Sequence, residues 1–228
     1  MKQVNEIMEK NIILIEKPDI SIQSLLTALK LDEDDEYIEE IENLLRKAIE
    51  IAKPVALYSI IKPEFNKEVI KLNEIEIAEP FVFKMLSGCD FVIPYIASCG
   101  PEINEWSKKF TDFFDQFVAD TLKILCLMCA RDALTEEVKT KYFPDEDKHI
   151  STLNPGSLEE WPLTGQISLF DIFENVDKDI GVILTDSLLM TPTKSVSGIM
   201  FQTEEEYHNC QLCQKENCPG RRAEYIGD

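Results

Sequence analysis

One segment limits the fold of this chain more than any other: residues 102–141 contain neither glycine nor proline. Apolar side chains recur through it at three- and four-residue intervals, beginning with Trp106, Phe110, Phe113 and Phe117. This spacing places them along one face of an α-helix. The segment therefore predicts one or two long helices that form the centre of the core.

The residues before this segment read as a helix followed by strands. Apolar residues in helical spacing begin near Asp35 and end before Pro54, because the residue that precedes a proline is disfavoured in a helix. β-Branched and alternating apolar residues then predict strands over residues 55–61, 68–77 and 90–98, the second as a hairpin or an edge pair. Pro94, inside the third strand, favours an edge position or a bulge because proline has no amide hydrogen for the sheet.

The residues after the segment read as a linker, a helix and two strands. The polar residues 144–153 predict a linker in which His149 lies in a solvated loop, and residues 164–174 predict a helix. Strands are expected over residues 181–190 and 195–203, joined by a turn at TPTK. Helices and strands grouped in this way, without βαβ alternation, indicate an α+β fold.

Length and composition bound the organisation of the chain. With 228 residues, of which 44% are hydrophobic, it can fill one substantial core or two small ones. The patterns divide it into an N-terminal helical segment (residues 1–53), an α+β core (residues 54–203) and a cysteine-rich tail (residues 204–228).

The formal net charge of −20 disfavours one class of partner. Nucleic acids are bound mainly through lysine and arginine contacts to phosphates, so we expect neither DNA nor RNA as a partner. A cationic ligand or a basic protein is compatible with the charge. No stretch reaches the ~18 consecutive apolar residues of a membrane-spanning helix, and the polar first residues do not read as a secretory signal. We therefore expect a cytoplasmic protein with no membrane partner.

Three cysteines near the C-terminus have the spacing of a metal or cluster site. Cys210, Cys213 and Cys218 form a CxxCxxxxC pattern in a segment with few apolar residues. A CxxC turn lets two thiolates meet one ion and Cys218 can supply a third, which suits zinc or an iron–sulfur cluster. A structural zinc site needs a fourth ligand, whereas a cluster with one open iron does not. Two other interpretations stay open: surface thiols on a flexible end, or thiols that carry electrons or a methyl group themselves.

A second CxxC pair, Cys126 and Cys129, lies inside the long helical segment. Three residues apart on a helix, the two thiols share a face. Buried cysteine mostly behaves as a small apolar residue, so we favour core packing over a metal or redox role.

A Pro-Gly pair after the linker has two interpretations. Pro155 and Gly156 fit a type II turn that simply ends the linker, but a glycine also lets a ligand approach the backbone closely. Glu136 and Glu137, ordinarily a solvated helix face, could bind a ligand with an ammonium or sulfonium charge. The sequence contains no Ser-His-Asp signature, phosphate loop or dinucleotide fingerprint, and two histidines give little basis for histidine acid–base chemistry.

Five segments follow one another in an order known from one family: LSGCDFV, ASCGPEIN, ARDALTEEV, LNPGSLEEWPLTGQISLFDIF and IGVILTDSLLMTPTKSVSGIMF. Together they resemble the activation (reactivation) domain of cobalamin-dependent methionine synthase, and more closely its short stand-alone relatives from anaerobic bacteria. The resemblance extends over residues 26–201. Its most specific residues, in the family's order and spacing, are Leu184, Thr185, Ser187, Met190, Pro192, Ser195, Ser197 and Gly198.

The resemblance implies a curved α+β domain around a twisted antiparallel sheet with long helices. It also implies binding of S-adenosylmethionine, whose methyl group restores a corrinoid that has been oxidised to the cob(II) state. By the same resemblance, we expect the electron to come from a flavodoxin-like protein or a ferredoxin. We expect the corrinoid to be held by the partner, a corrinoid protein or a cobalamin-dependent methyltransferase.

The resemblance further implies where the methyl donor binds. The carboxylate of the family's DxLxE pattern falls on Glu136, and the Pro-Gly of its RxxPGY motif falls on Pro155 and Gly156. Thr152 occupies the place of the arginine and Ser157 that of the tyrosine. A threonine hydroxyl does not replace the charged two-point contact of an arginine with a carboxylate. The cysteine tail is foreign to the methionine synthase domain.

Two functions follow as hypotheses, and in both the chain is at most one part of a methyltransferase system. In the first, it is an activation factor that supports reductive remethylation of a cobalamin-dependent methyltransferase, with Glu136, Pro155, Gly156 and Ser157 at the donor site. In the second, it is a non-catalytic accessory module that has lost S-adenosylmethionine binding and holds zinc or an iron–sulfur cluster through its tail cysteines.

Overall fold

The structure is a computed structural model that describes residues 9–32, 36–144, 148–204, 207, 209–212 and 223–226. The helices in these ranges are α1 (Ile22–Leu29), α2 (Ile38–Ile51), α3 (Pro80–Leu86), α4 (Pro101–Ser107), α5 (Phe113–Tyr142), α6 (Gly165–Phe173) and α7 (Val176–Ile180). The strands are β1 (Asn11–Leu14), β2 (Val55–Tyr58), β3 (Glu64–Asn66), β4 (Val69–Leu72), β5 (Ile75–Ile77), β6 (Ile93–Ser98), β7 (His149–Leu153), β8 (Ile183–Leu184), β9 (Met190–Thr191) and β10 (Ser195–Thr203).

The segment without glycine or proline forms α4 and α5, which confirms the prediction of one or two long helices. Helix α5 has 30 residues and begins after Asp112, whose carboxylate accepts hydrogen bonds from the amides of Phe114 and Asp115 at 2.8 and 3.3 Å. This cap satisfies two amides that have no partner inside the helix. None of the helices in the described part of the chain combines the length and apolar character that crossing a bilayer requires.

Five strands form the central antiparallel sheet in the order β1-β2-β6-β10-β7. Strand β6 lies in the middle, where Ser98 is level with Val55 of β2 and with Ser195 of β10. All residues of β2 and β6 are buried, because helices cover both faces of the sheet. The expected α+β class, an antiparallel sheet with long helices, is confirmed.

The two faces of the sheet carry different layers. Helix α5 packs across one face, where Ala130, Leu134 and Val138 form a cluster with sheet residues that include Tyr58 and Tyr95. Helices α1, α2 and α4 pack against α5 in a second cluster. The opposite face is covered by α6, α7 and the small sheet β3-β4-β5.

Pro94 lies on an interior strand, so the prediction of an edge strand or a bulge is wrong. The β2–β6 ladder ends at Tyr58 and Tyr95, and Ile61 pairs with Val92 in the same register beyond a gap. At the gap the Ser59 amide donates to the Pro94 carbonyl oxygen at 3.2 Å. A proline is tolerated because its nitrogen faces this interruption rather than β10.

Two predictions for the last third need correction, and one helix was missed. The polar linker contains β7, an edge strand that begins at His149 and pairs with β10. The strand expected over residues 181–190 is instead two short strands, β8 and β9, paired with each other. Helix α7 was not predicted. The expected strand over residues 195–203 is confirmed as β10, which pairs with β6 and β7.

We expect Leu122→Ala to lower the free energy of unfolding by about 2–5 kcal/mol, because the Leu122 side chain is fully buried in the cluster of α5 with α1, α2 and α4. Ile124→Ala, two residues away on the same helix and 42% exposed, should change it by no more than about 1 kcal/mol. Urea denaturation followed by circular dichroism measures both values. Equal losses for the two variants would contradict this packing.

Candidate functional site

A cavity of about 660 Å³ lies beside α5, near the C-terminal end of that helix. Helix α5 lines it with Arg131, Asp132, Thr135 and Glu136. Residues four apart share a helix face, so Arg131 with Thr135 and Asp132 with Glu136 form two adjacent rows along the cavity. The volume lies within the ~300–1,000 Å³ typical of small-molecule sites.

The central sheet supplies another wall of the cavity. Ile150 and Thr152 of β7 lie on the same face of the strand, and Met200 of β10 is the pairing partner of Thr152. Ile150 and Met200 also belong to the cluster that packs under α5. This wall is therefore apolar, with the Thr152 hydroxyl group as its polar element.

The Pro-Gly turn stands at the end of β7 and shapes the cavity. The Ser157 amide donates to the Asn154 carbonyl oxygen at 3.2 Å, and Gly156 has a φ of 79°, as the third residue of a type II turn requires. The Gly156 amide donates to the Trp161 carbonyl oxygen at 2.8 Å, so the fold itself uses this group. Among the described residues that line the cavity, Ser157 is present, whereas Pro155 and Gly156 are not.

Asn154 joins this turn to the sheet and to the tail. Its side-chain amide donates to the Ser197 carbonyl oxygen at 2.8 Å and to the Tyr95 hydroxyl at 2.9 Å. Its side-chain oxygen accepts a hydrogen bond from Asn209 at 3.1 Å. Gly198 makes this approach possible, because a Cβ atom at that position would lie 2.5 Å from the Asn154 amide nitrogen.

Residues of the tail complete the lining of the cavity with Tyr207, Asn209 and Cys210. The Tyr207 amide donates to the Ser151 hydroxyl of β7 at 3.2 Å. Burial and, secondarily, the charge of Glu160 raise the pKa of Tyr207 to about 12. The phenol is therefore neutral at physiological pH and can donate a hydrogen bond.

Three buried polar atoms of the cavity-lining residues have no hydrogen-bond partner within the described ranges. They are Arg131 Nε, Tyr207 Oη and Asn209 Oδ1. Buried polar atoms in native proteins are nearly always paired, so each unpaired atom calls for an explanation. These atoms have almost no accessible surface of their own, so they lie behind the surface of the cavity rather than on it.

The neighbouring glutamates of α5 have different surroundings. Glu137 accepts hydrogen bonds from Lys141 at 2.6 Å and from the Tyr58 hydroxyl at 3.0 Å, and these contacts lower the pKa of Glu137. Glu136 lines the cavity, and its carboxylate accepts a hydrogen bond from Thr140 at 3.3 Å. Glu137 therefore holds α5 to the sheet, and Glu136 is available to a ligand.

The predicted metal ligands are placed only in part. Cys210 lines the cavity, while Cys213 and Cys218 lie outside the described residues. Within the part of the chain that the structure describes, no group of three or more His, Cys, Asp or Glu side chains could hold a metal ion. Cys126 is fully buried in the core, where burial raises the pKa of its thiol, in agreement with the core-packing interpretation of the helical CxxC pair.

Sequence reasoning missed several residues of the cavity: Arg131, Thr135, Asn154, Tyr207 and Asn209. A signal existed for the first two, because Arg131 and Thr135 are four residues apart and so form one row on the helix that carries Glu136. No local signal marked the other three, since they meet only after β7, which read as a linker, has joined the sheet.

Comparison with known proteins assigns the fold. A solved structure described as the crystal structure of the MetH reactivation domain bound to AdoHcy matches with a TM-score of 0.62 and 16% sequence identity. The match covers 88% of this chain and 80% of that chain. The chain therefore has the fold of a methionine synthase reactivation domain.

A sequence comparison adds a family match for the C-terminal region. The model of the family described as vitamin B12 dependent methionine synthase, activation domain, matches residues 162–223. The comparison with curated proteins finds no match. The matched residues include α6, α7, β10 and the part of the tail that lines the cavity.

We expect Asn154→Ala to lower the free energy of unfolding by about 1–3 kcal/mol, because it removes the donor to the buried Ser197 carbonyl oxygen and the acceptor for Asn209. Asn66→Ala is an equivalent change at an exposed position of β3 and should change the free energy of unfolding by no more than about 0.5 kcal/mol. Urea denaturation compares the two. A loss at Asn154 no larger than that at Asn66 would show that this network does not hold the site together.

Proposed function

We propose that this chain binds S-adenosylmethionine in the cavity beside α5 and serves as an activation factor for a corrinoid protein. One observation carries the proposal: Asp132 and Glu136 share a cavity of about 660 Å³ with Ser157 of the Pro-Gly turn. The fold supports it, since the matching reactivation domain is described as bound to AdoHcy. AdoHcy is S-adenosylhomocysteine, the molecule that remains when S-adenosylmethionine has given up its methyl group.

The charges of the cavity suit this ligand. S-adenosylmethionine carries a sulfonium and an ammonium group, and the carboxylates of Asp132 and Glu136 line the helix side of the cavity. Hydrogen bonds in which one partner is charged are stronger than those between neutral groups. The hydroxyls of Thr152 and Ser157 can meet the ribose or the adenine ring on the sheet side.

The proposed chemistry requires little of this chain beyond holding the donor. Methyl transfer from a sulfonium breaks one carbon–sulfur bond and forms one bond to the acceptor, and no proton moves. The cavity lining matches this demand, since it contains carboxylates, hydroxyls and amides but no histidine among its described residues. The neutral Tyr207 phenol adds a hydrogen-bond donor without adding charge.

The partner supplies the remaining components in this proposal. The corrinoid, held by a corrinoid protein or a cobalamin-dependent methyltransferase, provides the cobalt that accepts the methyl group. A flavodoxin-like protein or a ferredoxin provides the electron. The role of Asp132, Glu136 and Ser157 is to keep the donor's methyl group oriented toward that partner and the rest of the molecule within the cavity.

We expect saturable binding of S-adenosylmethionine, and Glu136→Gln should weaken it about 10-fold or more, because the substitution keeps the shape of the side chain and removes its charge. Isothermal titration calorimetry measures the affinity. Glu42→Gln, which removes an exposed carboxylate of α2, is the matched control and should bind normally. Absence of saturable binding in the unmodified protein would reject the proposal and favour the accessory module.

We also propose that Cys210, Cys213 and Cys218 hold zinc or an iron–sulfur cluster. The CxxCxxxxC spacing supports this assignment, since thiolates in a CxxC turn can meet one ion. The position of Cys210 in the lining of the cavity would bring such a centre next to the donor site. A centre in that position suits either electron transfer or an ordered surface for the corrinoid protein.

Anaerobically purified protein should contain stoichiometric zinc, or iron with sulfide and visible absorbance. Cys210→Ala should lose most of this content, because it leaves two of the three thiolates. Cys129→Ala, a half-buried cysteine of α5, is the matched control and should retain it. Elemental and sulfide analysis with absorption spectroscopy measures both variants. Unmodified protein free of zinc and iron would exclude the metal assignment.

A further inference from the structure

The cavity contains a positive charge that pairs with no carboxylate of the described residues. Among the described residues that line it, Arg131 is the cationic one. It forms no ion pair with any carboxylate in the described part of the chain, and its buried Nε atom has no partner there. A guanidinium is always charged and carries five N–H donors. A partly buried arginine without a counter-ion is costly, which indicates that its anion comes from a ligand.

The arrangement along α5 separates the positive and negative groups of the cavity. Thr135, one turn after Arg131, donates its hydroxyl hydrogen to the Arg131 carbonyl oxygen at 2.8 Å. Asp132 and Glu136 lie in the neighbouring row, and Glu136 accepts a hydrogen bond from Thr140. The carboxylates thus border the arginine without pairing with it. A ligand that carries both an anionic and a cationic group can pair with the arginine of one row and with the carboxylates of the other.

We infer that Arg131 binds the α-carboxylate of the ligand in this cavity and makes the site selective for a sulfonium that retains its amino-acid end. The inference rests on the proposed binding of S-adenosylmethionine. Thr152, on the sheet wall, offers a hydroxyl and no charge, so the charged contact comes from the helix. A guanidinium can meet both oxygens of a carboxylate, which a point charge cannot.

Because the protein has a large negative net charge, this single arginine determines whether the cavity can bind the carboxylate of a ligand. A chain with a formal charge of −20 repels carboxylates over most of its surface, whereas it attracts the sulfonium and ammonium groups. Without Arg131, the cavity would hold only the carboxylates of Asp132 and Glu136 as charged groups within the described lining. Such a site would favour the decarboxylated form of the ligand.

The test compares S-adenosylmethionine with decarboxylated S-adenosylmethionine, which keeps the adenosyl, sulfonium and amino groups and lacks only the carboxylate. Isothermal titration calorimetry is performed on the unmodified full chain, Arg131→Gln, Arg131→Lys and Arg46→Gln. We expect the unmodified chain to prefer S-adenosylmethionine about 10- to 100-fold. Arg131→Gln should abolish or reverse this preference, and Arg131→Lys should retain part of it. Arg46→Gln, on the exposed side of α2, should leave it unchanged.

Each outcome separates this inference from the function on which it rests. If the unmodified chain binds S-adenosylmethionine but shows no preference, or if Arg131→Gln keeps the full preference, the role of Arg131 is wrong and the proposed function stands. If the unmodified chain binds neither compound, both are wrong. Circular dichroism of each variant establishes folding. If Arg131→Gln does not fold, Arg131→Lys carries the test, and full retention of the preference by that variant would overturn the role of Arg131.

Discussion

The close contact between α5 and the central sheet is the interaction on which the rest of the structure depends. Small residues permit it: Ala130 on the helix and Ala56 and Ala97 on the sheet are all fully buried in one cluster. Leu134 and Val138 of the helix then fill the space against the sheet. The other helices have their positions set by this contact, since α1, α2 and α4 pack against α5 rather than against the sheet.

The cavity forms where the contact between α5 and the central sheet ends, beside the edge strand β7. Leu134 and Val138 face the buried strands, so the residues on their flank, including Asp132 and Glu136, face β7 at the edge of the sheet. There β7 contributes Ile150 and Thr152 to the lining of the cavity, and the space beside the helix stays open. A polar face on a core helix is therefore stable here because it borders a cavity instead of packed side chains.

The sequence predicts an element correctly where the pattern that forms it is local. It fails where the surrounding structure determines the conformation or the role of a residue. The long helix and the final strand follow from apolar periodicity, and Glu136 and Ser157, which the family resemblance places at one site, both line the cavity. Strand β7 was missed because HISTL contains only two apolar residues, and an edge strand can form from such a segment when a neighbour supplies the hydrogen bonds. Arg131 was missed because only the folded chain shows that it lines the cavity and pairs with no carboxylate of the described residues.

The tail and the cavity are coupled by the same polar groups. Two hydrogen bonds join described residues of the tail to β7 and to the turn that follows it, from the Tyr207 amide to Ser151 and from Asn209 to Asn154. The attachment of the tail and the lining of the cavity therefore share residues, because Asn154 and Asn209 hydrogen-bond to each other and both line the cavity.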